Sequence, residues 1–157
     1  MKTNSPLPTY IAYSVGYFDD ADIVNWVQGY LPTSEHFSDN STLLEMAWIN
    51  PKDPRSVETA GTLLEQFVAE NWPGYDLNNA KAELYAKRYF THRLKSYLDG
   101  NVSPWLVCRM VSPIENLYDF PVWLGKMYDA CDWIDQSTKL QDCPHLRDMV
   151  QETLENI

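Results

Sequence analysis

Glycine is scarce in this chain, with six residues among 157. Together with a hydrophobic share of 45%, that scarcity leaves no flexible linker or low-complexity tract and little material for a loop that cradles phosphates. No Walker loop, GxGxxG fingerprint or GxSxG elbow occurs, so nucleotide-dependent and serine-hydrolase chemistry have no foothold. Histidine is equally sparse. His36, His92 and His145 are the only imidazoles, and none falls in an HxxxH or HExxH frame, which removes support for metal-assisted hydrolysis. Cys108, Cys131 and Cys143 are odd in number and lack CxxC spacing. They predict reduced, buried thiols in a cytosol, not a disulfide framework or zinc knuckle. No apolar run approaches the roughly 20 residues that span a bilayer, and Met1 to Pro8 lacks the apolar core of a signal peptide. The expectation is a cytoplasmic protein, neither secreted nor membrane-inserted, with no cofactor and no metal.

Positive charge is the other shortage. Twelve Lys and Arg face 22 carboxylates, for a formal charge of −10. The excess is uneven: residues 19–45 hold six acids and no Lys or Arg, and residues 115–157 hold nine acids and three bases. Residues 81–114 run the other way, with six bases and two acids. Such a chain repels nucleic acid and anionic membrane and attracts a basic partner.

What the chain does contain is aromatic residues and helix punctuation. Six Trp and ten Tyr in a length suited to one domain predict an ordered core that buries roughly 70% of the unfolded surface. Asp53-Pro54 reads as an N-cap followed by proline at the first helical position, and Val57, Ala60, Leu64, Phe67 and Val68 then form one apolar stripe to about Asn71. Ser103-Pro104 and Ser112-Pro113 repeat the device, with Glu115 completing a capping box. Asp142-Cys143-Pro144 opens a last helix with a stripe of Leu146, Met149, Val150, Thr153 and Leu154. Asp19 or Asp20 caps a helix carrying Ile23, Val27, Tyr30 and Leu31 that Pro32 ends. Asn79 caps a long helix to about Leu98, with Ala86, Phe90, Leu94 and Tyr97 inward and Asp99-Gly100-Asn101 as its stop. A helix over 121–135 places Leu124, Met127, Tyr128, Cys131 and Ile134 on one side. Residues 41–49 add a short helix, and Tyr10 to Phe18, β-prone in composition but without a pairing strand, is read as a short first helix. The fold expected is all-α: a compact single-domain orthogonal bundle of about six to eight helices over 1–157, with 1–8 flexible.

Two clusters on these helices invite a functional reading. Asp129, Asp132 and Asp135 recur every third residue, but a 100° wheel puts only Asp129 and Asp132 on one face, too few oxygens for a magnesium or calcium cage. The same wheel places Trp133 with Val122, Lys126 and Asp129, away from the apolar stripe. Either the helix is buried on two sides, or Trp133 is an exposed anchor rimmed by carboxylates, the composition of a hot spot for a basic protein. Asp119 extends that patch, and Asp19, Asp20 and Asp22 form a second. Lys81, Arg88, His92 and Lys95 make a basic stripe on the long helix, which the overall negative charge turns away from phosphate backbones and toward internal pairing or solvent.

The stretches Cys108 to Glu115 and Trp123 to Trp133 look like family signatures. In size, acidity, aromatic content and cysteine use the chain resembles bacterial immunity proteins of polymorphic and contact-dependent toxin systems. That resemblance implies a non-enzymatic inhibitor that occludes a basic toxin domain such as a nuclease. Its partner-binding residues would be Asp119, Asp129, Asp132 and Trp133 first, and Asp19, Asp20 and Asp22 second. The alternatives are a small helical enzyme or ligand-binding domain with an aromatic-lined pocket, and a structural subunit that homodimerises through an aromatic face.

Overall fold

A computed structural model describes residues 5–157, and within that span the protein is all-helical. In chain order the helices are α1 (Pro6–Ser14), α2 (Asp20–Tyr30), α3 (Ser41–Ala47), α4 (Pro54–Val57), α5 (Ala60–Asn71), α6 (Ala80–Leu98), α7 (Pro104–Cys108), α8 (Val111–Tyr118), α9 (Met127–Cys131) and α10 (Pro144–Asn156). Single 3-10 turns lie at Leu31–Thr33, Val122–Leu124 and Leu140–Asp142. The segment 1–8, expected to be flexible, lies half outside the described residues; from Pro6 onward it belongs to α1. The chain, read from its length as one domain, divides into two compact units.

The first unit takes, among the described residues, 5–14 and 18–76. Its helices start where short polar side chains accept otherwise unpaired N–H groups. Asp19 and Asp22 form a reciprocal capping box, with Asp22 N–H donating to Asp19 at 2.9 Å and Asp19 N–H donating to Asp22 at 2.8 Å. Such a box contributes about 1 kcal/mol. Asn40 caps α3 through the Leu43 N–H, and Asp53 caps α4 through the Arg55 N–H. Hydrogen bonds from Ser56 and then Arg55 hold the Asp53 carboxyl below the usual carboxylate range. The helix expected from Asp53 to Asn71 is interrupted at Glu58-Thr59. Its stripe survives the break, because Ala60, Leu64, Phe67 and Val68 are buried against Ile23, Val27, Leu43 and Met46.

The second unit comprises Val15–Tyr17 and Leu77–Ile157. Its axis is α6, capped by Asn79 through the Ala82 N–H, with Ala86, Phe90, Leu94 and Tyr97 buried as their spacing predicts. Gly100, at φ 78°, ends it. Helices α7 and α10 pack on α6, and α9 packs on α7, α8 and α10. Buried Arg93 lays its guanidinium 4.7 Å from the centroid of the Tyr17 ring and donates to the Leu106 carbonyl at 2.8 Å and to the Tyr17 carbonyl. Arg109 donates to the Gly16 carbonyl at 2.7 Å. Gly16 is required here: its φ is 74°, and a Cβ would lie 2.9 Å from the Arg109 carbonyl oxygen.

Three expectations are corrected in this unit. Cys108 and Cys131, read as separate reduced thiols, are joined in a disulfide with Cα atoms 5.4 Å apart, and only Cys143 is free and buried. Spacing rules look for neighbours in sequence, whereas this pair is 23 residues apart and meets because α9 packs on α7. The capping box at Ser112 and Glu115 does not form. Helix α8 starts at Val111, so Pro113 occupies its third position, where an amide would have no helical acceptor anyway. The helix expected over 121–135 is three pieces: a 3-10 turn, a break at Gly125 (φ 61°, ψ −138°) and the short α9. A Cβ on Gly125 would come 3.2 Å from the Thr153 hydroxyl. Tyr128, placed inward by that helix, is exposed instead.

Candidate docking site on the second unit

The segment from Asp119 to Trp133 is anchored from beneath and bare above. Helix α8 ends in two consecutive left-handed residues, Asp119 at φ 50° and Phe120 at φ 53°, and both of their N–H groups turn back to the Glu115 carbonyl. Left-handed backbone at residues other than glycine costs roughly 1–2 kcal/mol each. The consequence is a Phe120 ring thrown outward, 63% exposed. Pro121 then leads extended into the 3-10 turn, where Leu124 is buried and Val122 is 96% exposed. Trp123 lies sideways, its indole donating to Glu83 at 2.9 Å and its ring 5.9 Å from that of Phe90. Met127 and Ala130 pin α9 inward, Ile134 is buried just beyond it, and the Cys131 disulfide ties its end to α7.

What remains outside is apolar, with exposed acids interspersed along the sequence. Phe120, Val122 and Tyr128 line one depression of about 380 Å³, floored by Leu124 and Gly125. Trp133, in the turn after α9, is 90% exposed. Asp119, Asp129 and Asp132 are exposed among them in the chain. Asp135, by contrast, closes its own turn: Ser137 donates to it through both its hydroxyl and its N–H, and those bonds hold the carboxyl below its ordinary range. Of the two alternatives for Trp133, the structure has the exposed one.

The second candidate cluster has a different character. Asp19 and Asp22 engage each other's N–H groups, and Asp20 accepts the Gly61 N–H at 3.0 Å and the Tyr13 hydroxyl at 3.3 Å. These carboxylates hold the first unit together. Burial, followed by the Asp20 charge, pushes the Tyr13 phenol up to about 12. The sequence reading also passed over Trp48, 87% exposed at the end of α3. Its outward position could have been read from Leu44 and Trp48, four residues apart on the face opposite Leu43 and Met46.

Among the described residues, no group of three His, Cys, Asp or Glu side chains converges in a way that would hold a metal ion. No helix there is long and apolar enough to cross a membrane. The comparisons add no family: no family model, curated protein or solved structure matches this chain.

Proposed function

We propose that the protein is an acidic binding protein that uses the Asp119–Trp133 surface to occlude a basic protein, as an immunity protein occludes its toxin. The observation that carries this reading is the co-location of fully exposed apolar side chains, Val122 and Trp133 above all, with free carboxylates in a segment whose other side is anchored. Interface cores favour large aromatics, and a charged rim steers a partner of opposite sign. A nuclease domain, which must attract a polyanion, has the required positive field. Asp119, Asp129, Asp132 and Trp133 carry the contact; Asp19, Asp20 and Asp22 do not, since their oxygens serve the first unit. No catalytic group is needed for this task.

The reading does not depend on a compartment. The cytoplasmic expectation rested on reduced thiols, whereas the Cys108–Cys131 bond suits an oxidising environment. Co-expression with basic toxin domains encoded beside the gene, scored by host survival, tests the function. Protection by the wild type and its loss in Asp129→Lys/Asp132→Lys supports the reading; equal protection by both, or none from any neighbouring toxin, rejects it.

A further inference from the structure

We propose that a groove along α6, in the second unit, binds a small amphiphilic anion: one carboxylate or phosphate monoester head on a short apolar chain. The groove, about 360 Å³, is lined by Leu84, Lys87, Arg88, Thr91, His92 and Lys95 of α6 and by Ile157. The α6 residues fall at steps of three and four, which align them down one side of the helix over three turns. Volumes of roughly 300 Å³ and above are in the range of ligand clefts.

Five observations define the ligand. Lys87, Arg88, His92 and Lys95 bring nitrogen donors to a lining whose one carboxyl group is the terminal one of Ile157. Among the described residues no acid pairs with Lys87, Arg88 or Lys95; Arg88 makes only a cation–π contact with Tyr85. Glu83, the one acid on α6, is engaged by the Trp123 indole at 2.9 Å. The His92 ring is fixed by a 2.7 Å bond between Nδ1 and the Tyr17 hydroxyl, while Nε2 has no partner among the described residues. In the tautomer where the phenol donates, Nε2 carries the hydrogen and is a further donor for an anion. Leu84 and Ile157 supply an apolar lining that a bare inorganic anion would leave wet.

The charge of −10 decides the size of the anion. At physiological salt, charges beyond about 8 Å are largely screened, so a small head group responds to the four local donors. A polyanion would extend past the groove onto the acidic remainder of the surface and be repelled.

Titration calorimetry on the intact protein tests this, with octyl phosphate and octanoate below their micellar concentrations, and with inorganic phosphate, octyl glucoside and a long polyphosphate alongside. The expected result is one site for the octyl anions with Kd on the order of 100 μM. Lys87→Gln/Lys95→Gln should weaken it about ten-fold and Leu84→Ser about five-fold, while Trp133→Ala leaves it unchanged. All the groove substitutions are at half-buried or exposed positions, and circular dichroism confirms folding. Octyl phosphate binding alone, or octanoate binding alone, supports the site and identifies the head group. No binding of either below 10-fold the expected concentration overturns the proposal. So does equal binding of octyl glucoside or inorganic phosphate, tighter binding of polyphosphate, or indifference to the lysine pair. Because the groove and the Asp119–Trp133 surface are separately mutable, failure of one reading leaves the other standing.

Discussion

The Asp20 carboxylate accepts the backbone N–H of Gly61, 41 positions further along the chain, at 3.0 Å. Only glycine permits this approach, since a Cβ at position 61 would sit 2.0 Å from the Tyr13 hydroxyl and 2.9 Å from the Asp20 oxygen. Gly61→Ala must therefore displace the Tyr13 ring and its bond to Asp20, and is expected to destabilise the first unit by about 2 kcal/mol. Asp20→Ala should cost a similar amount by leaving the buried Gly61 amide unpaired. Urea denaturation checks both; a loss below about 0.5 kcal/mol for each would show that the knot is loose.

Tyr13 makes the same knot sensitive to alkali. Its phenol titrates at about 12 in the folded protein against an ordinary 10.0, first because it is buried and second because the Asp20 charge opposes phenolate. Folding thus favours the protonated form. Below pH 10 both states hold the proton and the contribution is complete; between 10 and 12 the unfolded chain loses it first, so stability falls as pH rises. Tyr13→Phe should flatten the loss across that window, and Asp20→Asn should lower the tyrosinate midpoint. Absorbance titration with parallel thermal melts reads both effects. Burial also raises the Tyr89 phenol, so some alkaline sensitivity will persist in Tyr13→Phe.

The Cys108–Cys131 bond closes a loop of 23 residues. Loop-closure entropy assigns such a crosslink about 3 kcal/mol. Reduction by a dithiol, or Cys108→Ser, should lower the melting temperature of the second unit and raise amide exchange across Met127–Trp133, since α9 is too short to persist without tertiary anchors. Exchange confined to the chain termini on reduction would show that Leu124, Met127 and Ile134 suffice.

The helical class and most helix starts were legible because caps and prolines are local signals: Asp19, Asn79, Asp53-Pro54 and Pro144 all mark starts in the structure. The long stripe of α6 was legible for the same reason. The candidate docking segment was half legible. A wheel drawn over 121–135 put Val122, Asp129 and Trp133 outward, where they are, although the helix itself breaks at Gly125. That break, and the paired left-handed turn at Asp119 and Phe120, depend on Thr153 and on the Glu115 carbonyl, which periodicity does not report. Buried Arg93 was missed because its acceptors are backbone carbonyls, including that of Tyr17, 76 positions away. The disulfide escaped because it is a product of helix packing.

The proposed docking on the Asp119–Trp133 surface makes two separable demands on a basic partner. Trp133 and Val122 stand almost wholly in solvent, so Trp133→Ala and Val122→Ser should leave unfolding free energy within about 0.5 kcal/mol of wild type. In the complex, loss of the indole should cost about 2 kcal/mol or more, chiefly as faster dissociation and with little dependence on salt. Asp129→Lys/Asp132→Lys should instead slow association about ten-fold at low ionic strength, an effect that fades as salt shortens the range of the field. Stopped-flow association and dissociation rates across a salt series separate the two. Association that ignores salt in the wild type, or a Trp133→Ala complex that dissociates no faster, would mean that this surface is not where the partner sits.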